Sequence, residues 1–152
     1  MMKRFFSMAA LLLLCFVTTG CPDKPDDPDD PDDPKAPLDI TGEWQITQLT
    51  TKSVQVGDQT VDIYVAFTSA GNFDLYQLLG TGRYRHYAGS WKLTESTLSG
   101  SYTDGSDWAT TYTVALDSGR TQLVLTAADG SEVQTYRKQS IPQDVTANAL
   151  EP

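Results

Sequence analysis

Trp108-Ala109-Thr110-Thr111-Tyr112-Thr113-Val114-Ala115-Leu116, closed by Asp117-Ser118-Gly119, decides the fold class. Trp108, Thr110, Tyr112, Val114 and Leu116 fall on alternate positions and share one face of an extended chain, the period-2 pattern of a strand with one buried side. Val61, Ile63, Val65 and Phe67 repeat it. Working outward, runs of Thr, Val, Tyr, Trp and Leu alternating with polar residues predict strands at 42–50, 60–68, 72–79, 83–94, 97–103, 108–116, 121–127 and 132–139. Turn-forming clusters separate them: Val56-Gly57-Asp58, Ala70-Gly71-Asn72, Thr103-Asp104-Gly105-Ser106, Asp117-Ser118-Gly119 and Ala128-Asp129-Gly130-Ser131. Spacing of about a dozen residues without an intervening helix implies antiparallel hairpins in chain order, closed as a barrel or stacked as a sandwich. This all-β domain is expected over 38–140. In the tail, 141–152, Pro142 opens a short helix toward Leu150 with Val145 and Ala149 on one side, which docks on the barrel or frays.

Residues 1–20 read differently. Lys3 and Arg4 precede an apolar run from Phe5 to Val17, broken only by Ser7, and Thr18-Thr19-Gly20 makes a small-residue step before Cys21. That order is a secretory signal peptide with a cleavage site, its apolar part too short to span a bilayer comfortably. Residues 21–37 form a tether. Its prolines at 22, 25, 28, 31, 34 and 37 keep the three-residue period of polyproline II, and the Asp pairs between them repel one another. Such a segment stays disordered, extended and solvated, and at about 3.1 Å per residue it reaches roughly 50 Å. Its carboxylates lack the backbone and spacing of a defined calcium loop, so they read as a charged spacer.

Charge excludes one class of partner. Removal of residues 1–20 takes Lys3 and Arg4 from the 11 basic residues and leaves the 20 acidic ones, so the net charge moves from −9 to −11. Nucleic-acid binding needs a basic stripe, and none is present. Cys15 leaves with the signal and Cys21 then has no intrachain partner, so the fold rests on a packed core.

A cysteine at the cleavage site, followed at once by an acidic tether, resembles a bacterial lipoprotein. The resemblance implies that the mature chain begins at Cys21 and carries acyl groups such as palmitate there. At about 0.8 kcal/mol per buried methylene, several chains give stable membrane attachment where one does not. The acidic run resembles the export signal of Gram-negative surface lipoproteins, which implies the outer membrane and the cell surface; a periplasm-facing location is the alternative. For the cysteine, the alternative is an ordinary signal peptide cut near Gly20 that leaves a free thiol.

The first strand opens on Gly42-Glu43-Trp44, a second Gly-x-Trp, Gly89-Ser90-Trp91, precedes Lys92-Leu93, and Leu98, Tyr102 and Tyr136-Arg137 follow. This pattern, over roughly residues 40–140, is similar to the short bacterial lipocalin-like lipoproteins. The resemblance implies a small eight-stranded antiparallel up-and-down barrel that holds a small hydrophobic or amphipathic ligand without catalysis. It also implies that Trp44 closes one end, with Arg137 packed across it in a cation–π contact of about 0.5–2 kcal/mol. The chain departs from the family in lacking a Thr-Asp-x-Tyr-type second motif, Thr103-Asp104 falling in a turn, and in being shorter, which narrows the interior. A barrel of eight strands takes a ligand only where its own side chains leave room. Phe67, Phe73, Trp91, Tyr102, Trp108 and Tyr112 either face a ligand or fill the core. A filled barrel would make the protein a structural or accessory module presenting loops to a protein or glycan partner.

Catalytic chemistry is not expected. His86 is the only histidine, so paired-histidine metal ligation is excluded. No serine sits in a Gly-x-Ser-x-Gly setting, and turn chemistry accounts for Asp104, Asp117 and Asp129. No cofactor or metal is expected. One basic stretch stands out, Arg83-Tyr84-Arg85-His86-Tyr87, with Arg83, Arg85 and Tyr87 on one face and Tyr84 and His86 on the other. It reads as a patch for an anionic or sugar ligand, or as a solvated strand whose long side chains cover apolar neighbours.

Overall fold

Alternation becomes architecture in a computed structural model of the chain, which describes residues 37–52, 61–80 and 82–152. The signal peptide, Cys21, all but the end of the tether, and the Val56-Gly57-Asp58 turn lie outside the described residues. Eight strands follow one another: β1 (Gly42–Thr51), β2 (Val61–Phe67), β3 (Asn72–Leu79), β4 (Arg85–Thr94), β5 (Thr97–Tyr102), β6 (Tyr112–Leu116), β7 (Gln122–Ala127) and β8 (Glu132–Lys138). Each pairs antiparallel with the next and β8 returns to β1, so the sheet closes into an up-and-down barrel rather than a sandwich.

The turns form for the reason their composition gives. Asp117 Oδ1 accepts the backbone N–H groups of Thr121 and Gln122, each at 2.7 Å, and Asp104 and Asp129 accept those of Ser106 and Ser131 at 2.8 Å. The Ser106 and Ser131 side chains at Asp104 and Asp129, and the Gln122 N–H at Asp117, contribute most. With the other N–H bonds they favour the ionised forms and hold all three carboxyls below the usual range.

One strand starts later than its pattern predicts. Trp108 and Thr110 were expected in the strand of Tyr112, but β6 begins only at Tyr112 and meets β5 at two rungs, Thr97 with Thr113 and Leu98 with Tyr112. After the Asp104 turn the chain folds back along β5 instead. Asp107 bridges Ser101, and the Trp108 N–H donates to the Gly100 carbonyl at 2.9 Å. The indole lies on the face of Gly100, where a methyl group would meet its ring at 2.6 Å.

The core occupies one end of the barrel. Trp44 and Ile40 are fully buried there, and the indole N–H of Trp44 donates to the Ile40 carbonyl at 2.9 Å, so residues just before β1 seal the base. Phe67 meets Trp91 edge-on at 5.4 Å, and Phe73 meets Trp108 at 5.1 Å and Tyr102 at 5.9 Å. Phe73 reaches its place because Gly89 has no side chain, since a methyl group there would lie 2.8 Å from the ring and 2.0 Å from the Ser101 carbonyl oxygen. Leu98, Val114, Leu123 and Leu125 complete the packing.

β1 carries a bulge between Ile46 and Gln48 against β8. The extra residue moves the inward face from Trp44 and Ile46 to Leu49, so the strand keeps apolar residues inside while it bends. Beyond β8 the tail docks: α1 (Gln143–Asn148), preceded by Pro142, buries Val145. Ala149 lies at the helix C-cap, outside the helix. Leu150 then exchanges backbone hydrogen bonds of 2.8 Å with Tyr84 and His86, covering a part of β4 that runs past the end of β5.

Candidate functional site

Above the packed base the barrel is open. The inward residues of the upper half enclose a cavity of about 600 Å³, within the range of small-molecule sites. Leu49, Ile63 and Leu75 give it an apolar wall from β1, β2 and β3. Tyr87, Tyr102 and Tyr112, from β4, β5 and β6, supply aromatic surface, and Gln77, Glu132 and Gln134 supply polar groups. Exposed Asp104 and Ser106 stand at its outer edge, where Pro152 of the tail also reaches.

A hydrogen-bond relay runs up β8 on the inside. The Tyr136 hydroxyl donates to the Gln134 amide oxygen, and the Gln134 amide nitrogen donates to Glu132. The Tyr112 phenol stands within electrostatic reach of the same carboxylate. Burial first, then the negative charge of Glu132, pushes the Tyr112 phenol up to about 12. Fully buried Tyr136 is raised further, by burial above all. Both therefore remain hydroxyl donors at neutral pH.

The six aromatic residues expected to face a ligand divide by height on the barrel. Tyr102 and Tyr112 line the cavity, whereas Phe67, Phe73, Trp91 and Trp108 belong to the aromatic packing of the base. Filling and binding are both present, in different halves.

The barrel-closing contact needs a correction. The cation over the Trp44 ring is Lys138, whose Nζ lies 5.4 Å from the centroid, and not Arg137. Successive strand residues point to opposite faces, so a shift of one residue moves the charge from inside to outside. Arg137 instead donates to Gln45 Oε1 at 2.7 Å. Gln45 in turn donates to the Tyr64 hydroxyl at 2.9 Å, and Tyr84 donates to Asp62 Oδ2 at 2.6 Å. This outer network lies beside α1, whose Asp144 acts on both Tyr64 and Tyr84.

The stretch from Arg83 to Tyr87 does not form one patch. Tyr87 faces the cavity; Arg83 and Arg85 are exposed. His86 stacks on Tyr76 at 4.7 Å on the outer face, with Nε2 2.8 Å from Asp74 Oδ1 and Nδ1 3.2 Å from Glu151 Oε1. Sequence reading passes over Glu132 and Gln134, and takes Tyr136 only as part of the family pattern and not as a site residue. Their alternation up β8 was the available signal, but polar residues on an inward face give no hydrophobic period to detect.

Among the described residues no group of three or more metal-ligating side chains occurs, and no helix is long and apolar enough to cross a membrane. None of the curated proteins matches the chain. Among solved structures it is similar to a mutant of the fluorescent protein UnaG, at 14% identity and a TM-score of 0.39, over 66% of this chain and 96% of that one. It is also similar to a Schistosoma mansoni fatty acid binding protein in complex with arachidonic acid, at 16% identity and a TM-score of 0.35, over 66% and 96% of the two chains. The family described as "Lipocalin-like domain" matches residues 40–137. With that match spanning more than half of its length, and with eight strands closed in chain order, the chain belongs to the lipocalin-like domain family.

Proposed function

We propose that the protein is a non-enzymatic binding module that takes a small amphipathic molecule into the upper half of its barrel. The cavity of about 600 Å³ carries this reading, because it joins one apolar wall to a set of inward polar groups. A barrel that only presented loops to a protein or glycan would need no such space. Catalysis has little to work with: His86 is engaged by Asp74 and Glu151 on the outer face, and no histidine or cysteine lines the cavity among the described residues.

The order of residues 1–37 supports a location for this module. In our reading the chain is held to the outer membrane of a Gram-negative bacterium by acyl groups on Cys21, with the acidic stalk carrying the barrel away from the cell surface. Mass spectrometry of the mature N-terminus tests the anchor: an acylated Cys21 supports it, and an unmodified cysteine defeats it.

Binding is tested by titrating the protein with the neutral fluorescent probe N-phenyl-1-naphthylamine. Saturable binding is expected, and Leu75→Trp, which fills the cavity from β3, removes it. No saturation with a folded wild-type protein, or undiminished binding by Leu75→Trp, contradicts the reading.

A further inference from the structure

The upper half of the barrel is electrically one-sided. Its lining holds two carboxylates, Asp104 at the edge and Glu132 within, and no lysine, arginine or histidine among the described residues; exposed Arg85, opposite Gln77 on the same strand face, stands outside that lining. Inside the lining an anionic headgroup would meet like charge, whereas a cation would meet its complement.

Glu132 is prepared for such a partner. The relay from Tyr136 through Gln134 sends a donor to the carboxylate, and the Tyr112 phenol lies near enough to feel its charge. A carboxylate offers about four acceptor positions, so the Gln134 bond leaves capacity for a donor from the cavity. Tyrosine rings share the cavity with it. Tyr87 and Tyr102 stand 6.1 Å apart at 59°, and Tyr112 continues the wall from the other side of the β5–β6 gap. The faces of such rings attract cations within about 6 Å of the centroid.

Resting on the reading of the cavity as a ligand site, we propose that its ligand bears a protonated amine, held by Glu132 among Tyr87, Tyr102 and Tyr112. The apolar part of that ligand lies against Leu49, Ile63 and Leu75. The molecule is therefore a cationic amphiphile and not a fatty acid.

Calorimetric titration of the full chain at neutral pH with octylamine, octanoate and octanol tests this. Octylamine is expected to bind about tenfold more tightly than octanoate, or better, through its charge-assisted contacts. Glu132→Gln, nearly isosteric, is expected to bring octylamine and octanoate within about threefold of each other. Octanoate binding as tightly as octylamine overturns the amine assignment and leaves the cavity reading intact, as does a Glu132→Gln variant that keeps the preference. Failure of all three probes to bind wild type removes both. Should Glu132→Gln not fold, the wild-type comparison of amine with acid decides alone.

Discussion

Lys138 stands over Trp44 and packs its aliphatic stem across Gly42, where a methyl group would lie 3.2 Å from the lysine Cε. The Gly-x-Trp pair is thereby explained by contact: glycine accepts a φ of +128° and leaves room for the stem, and tryptophan offers the ring. Lys138→Met is expected to lower unfolding stability by about 0.5–2 kcal/mol in urea titrations. Arg137→Met, which removes an exposed bond to Gln45, is expected to cost less than about 1 kcal/mol. The opposite ranking would return the closing role to Arg137. Gly42→Ala is expected to cost on the order of 1–3 kcal/mol through backbone strain alone.

Two other glycines make the packed base possible. A side chain at Gly89 collides with the Ser101 carbonyl and Phe73, and one at Gly100 with the Ser90 carbonyl and Trp108. Gly89→Ala and Gly100→Ala are each expected to destabilise by about 1–3 kcal/mol or more, because backbone atoms cannot step aside. Neither glycine has a positive φ, so collision rather than backbone strain is the expected cost, and thermal unfolding of the two variants measures it. Losses well below about 1 kcal/mol at both positions would contradict it.

His86 makes the docked tail sensitive to pH. Burial of the ring opposes its charge, but the hydrogen bonds to Asp74 and Glu151 outweigh that and hold the imidazole above its ordinary 6.5. A raised folded value gives stability that is fully present below the unfolded value and is lost as pH rises through the folded one. The melting temperature is therefore expected to fall as pH rises above about 6.5, the ordinary histidine value, and less steeply in His86→Gln. An unchanged slope in that variant would show that the ring is not the sensor. Glu151→Gln is expected to move the His86 titration in NMR spectra downward.

Buried phenols give a second, alkaline transition. Tyr112 at about 12, and Tyr136 beyond it, both bind their protons more tightly folded than unfolded. The stability they contribute is present below about pH 10, the ordinary tyrosine value, and is lost as pH rises above it. Absorbance titration is expected to show their ionisation together with unfolding rather than before it. In Tyr136→Phe, loss of the donor to Gln134 is expected to cost about 0.5–1.5 kcal/mol. Free titration of every tyrosine near pH 10 in a folded protein would contradict the buried relay.

Much of the barrel was legible because alternation is local. Gln122–Ala127 and Glu132–Lys138 begin and end within a residue of their predicted spans, since Leu123, Leu125 and Ala127 mark one face without help from distant chain. What alternation cannot carry is register. The bulge at Ile46 and Gln48 fixes which of Arg137 and Lys138 meets Trp44, and no residue type announces it. Height along the barrel likewise separates Tyr102 and Tyr112 in the cavity from Phe67 and Phe73 in the base, though all four share the same inward pattern. The partners of His86 were illegible for another reason: Glu151 lies 65 residues away and arrives only because the tail pairs with β4.

A crystal structure of the protein grown with brominated octylamine locates the ligand directly. The bromine signal is expected in the upper half, near Leu49, Ile63 and Leu75, with the amine at Glu132. An interior in which Tyr87, Tyr102 and Tyr112 have closed together over an empty lattice of difference density would contradict the account at its centre.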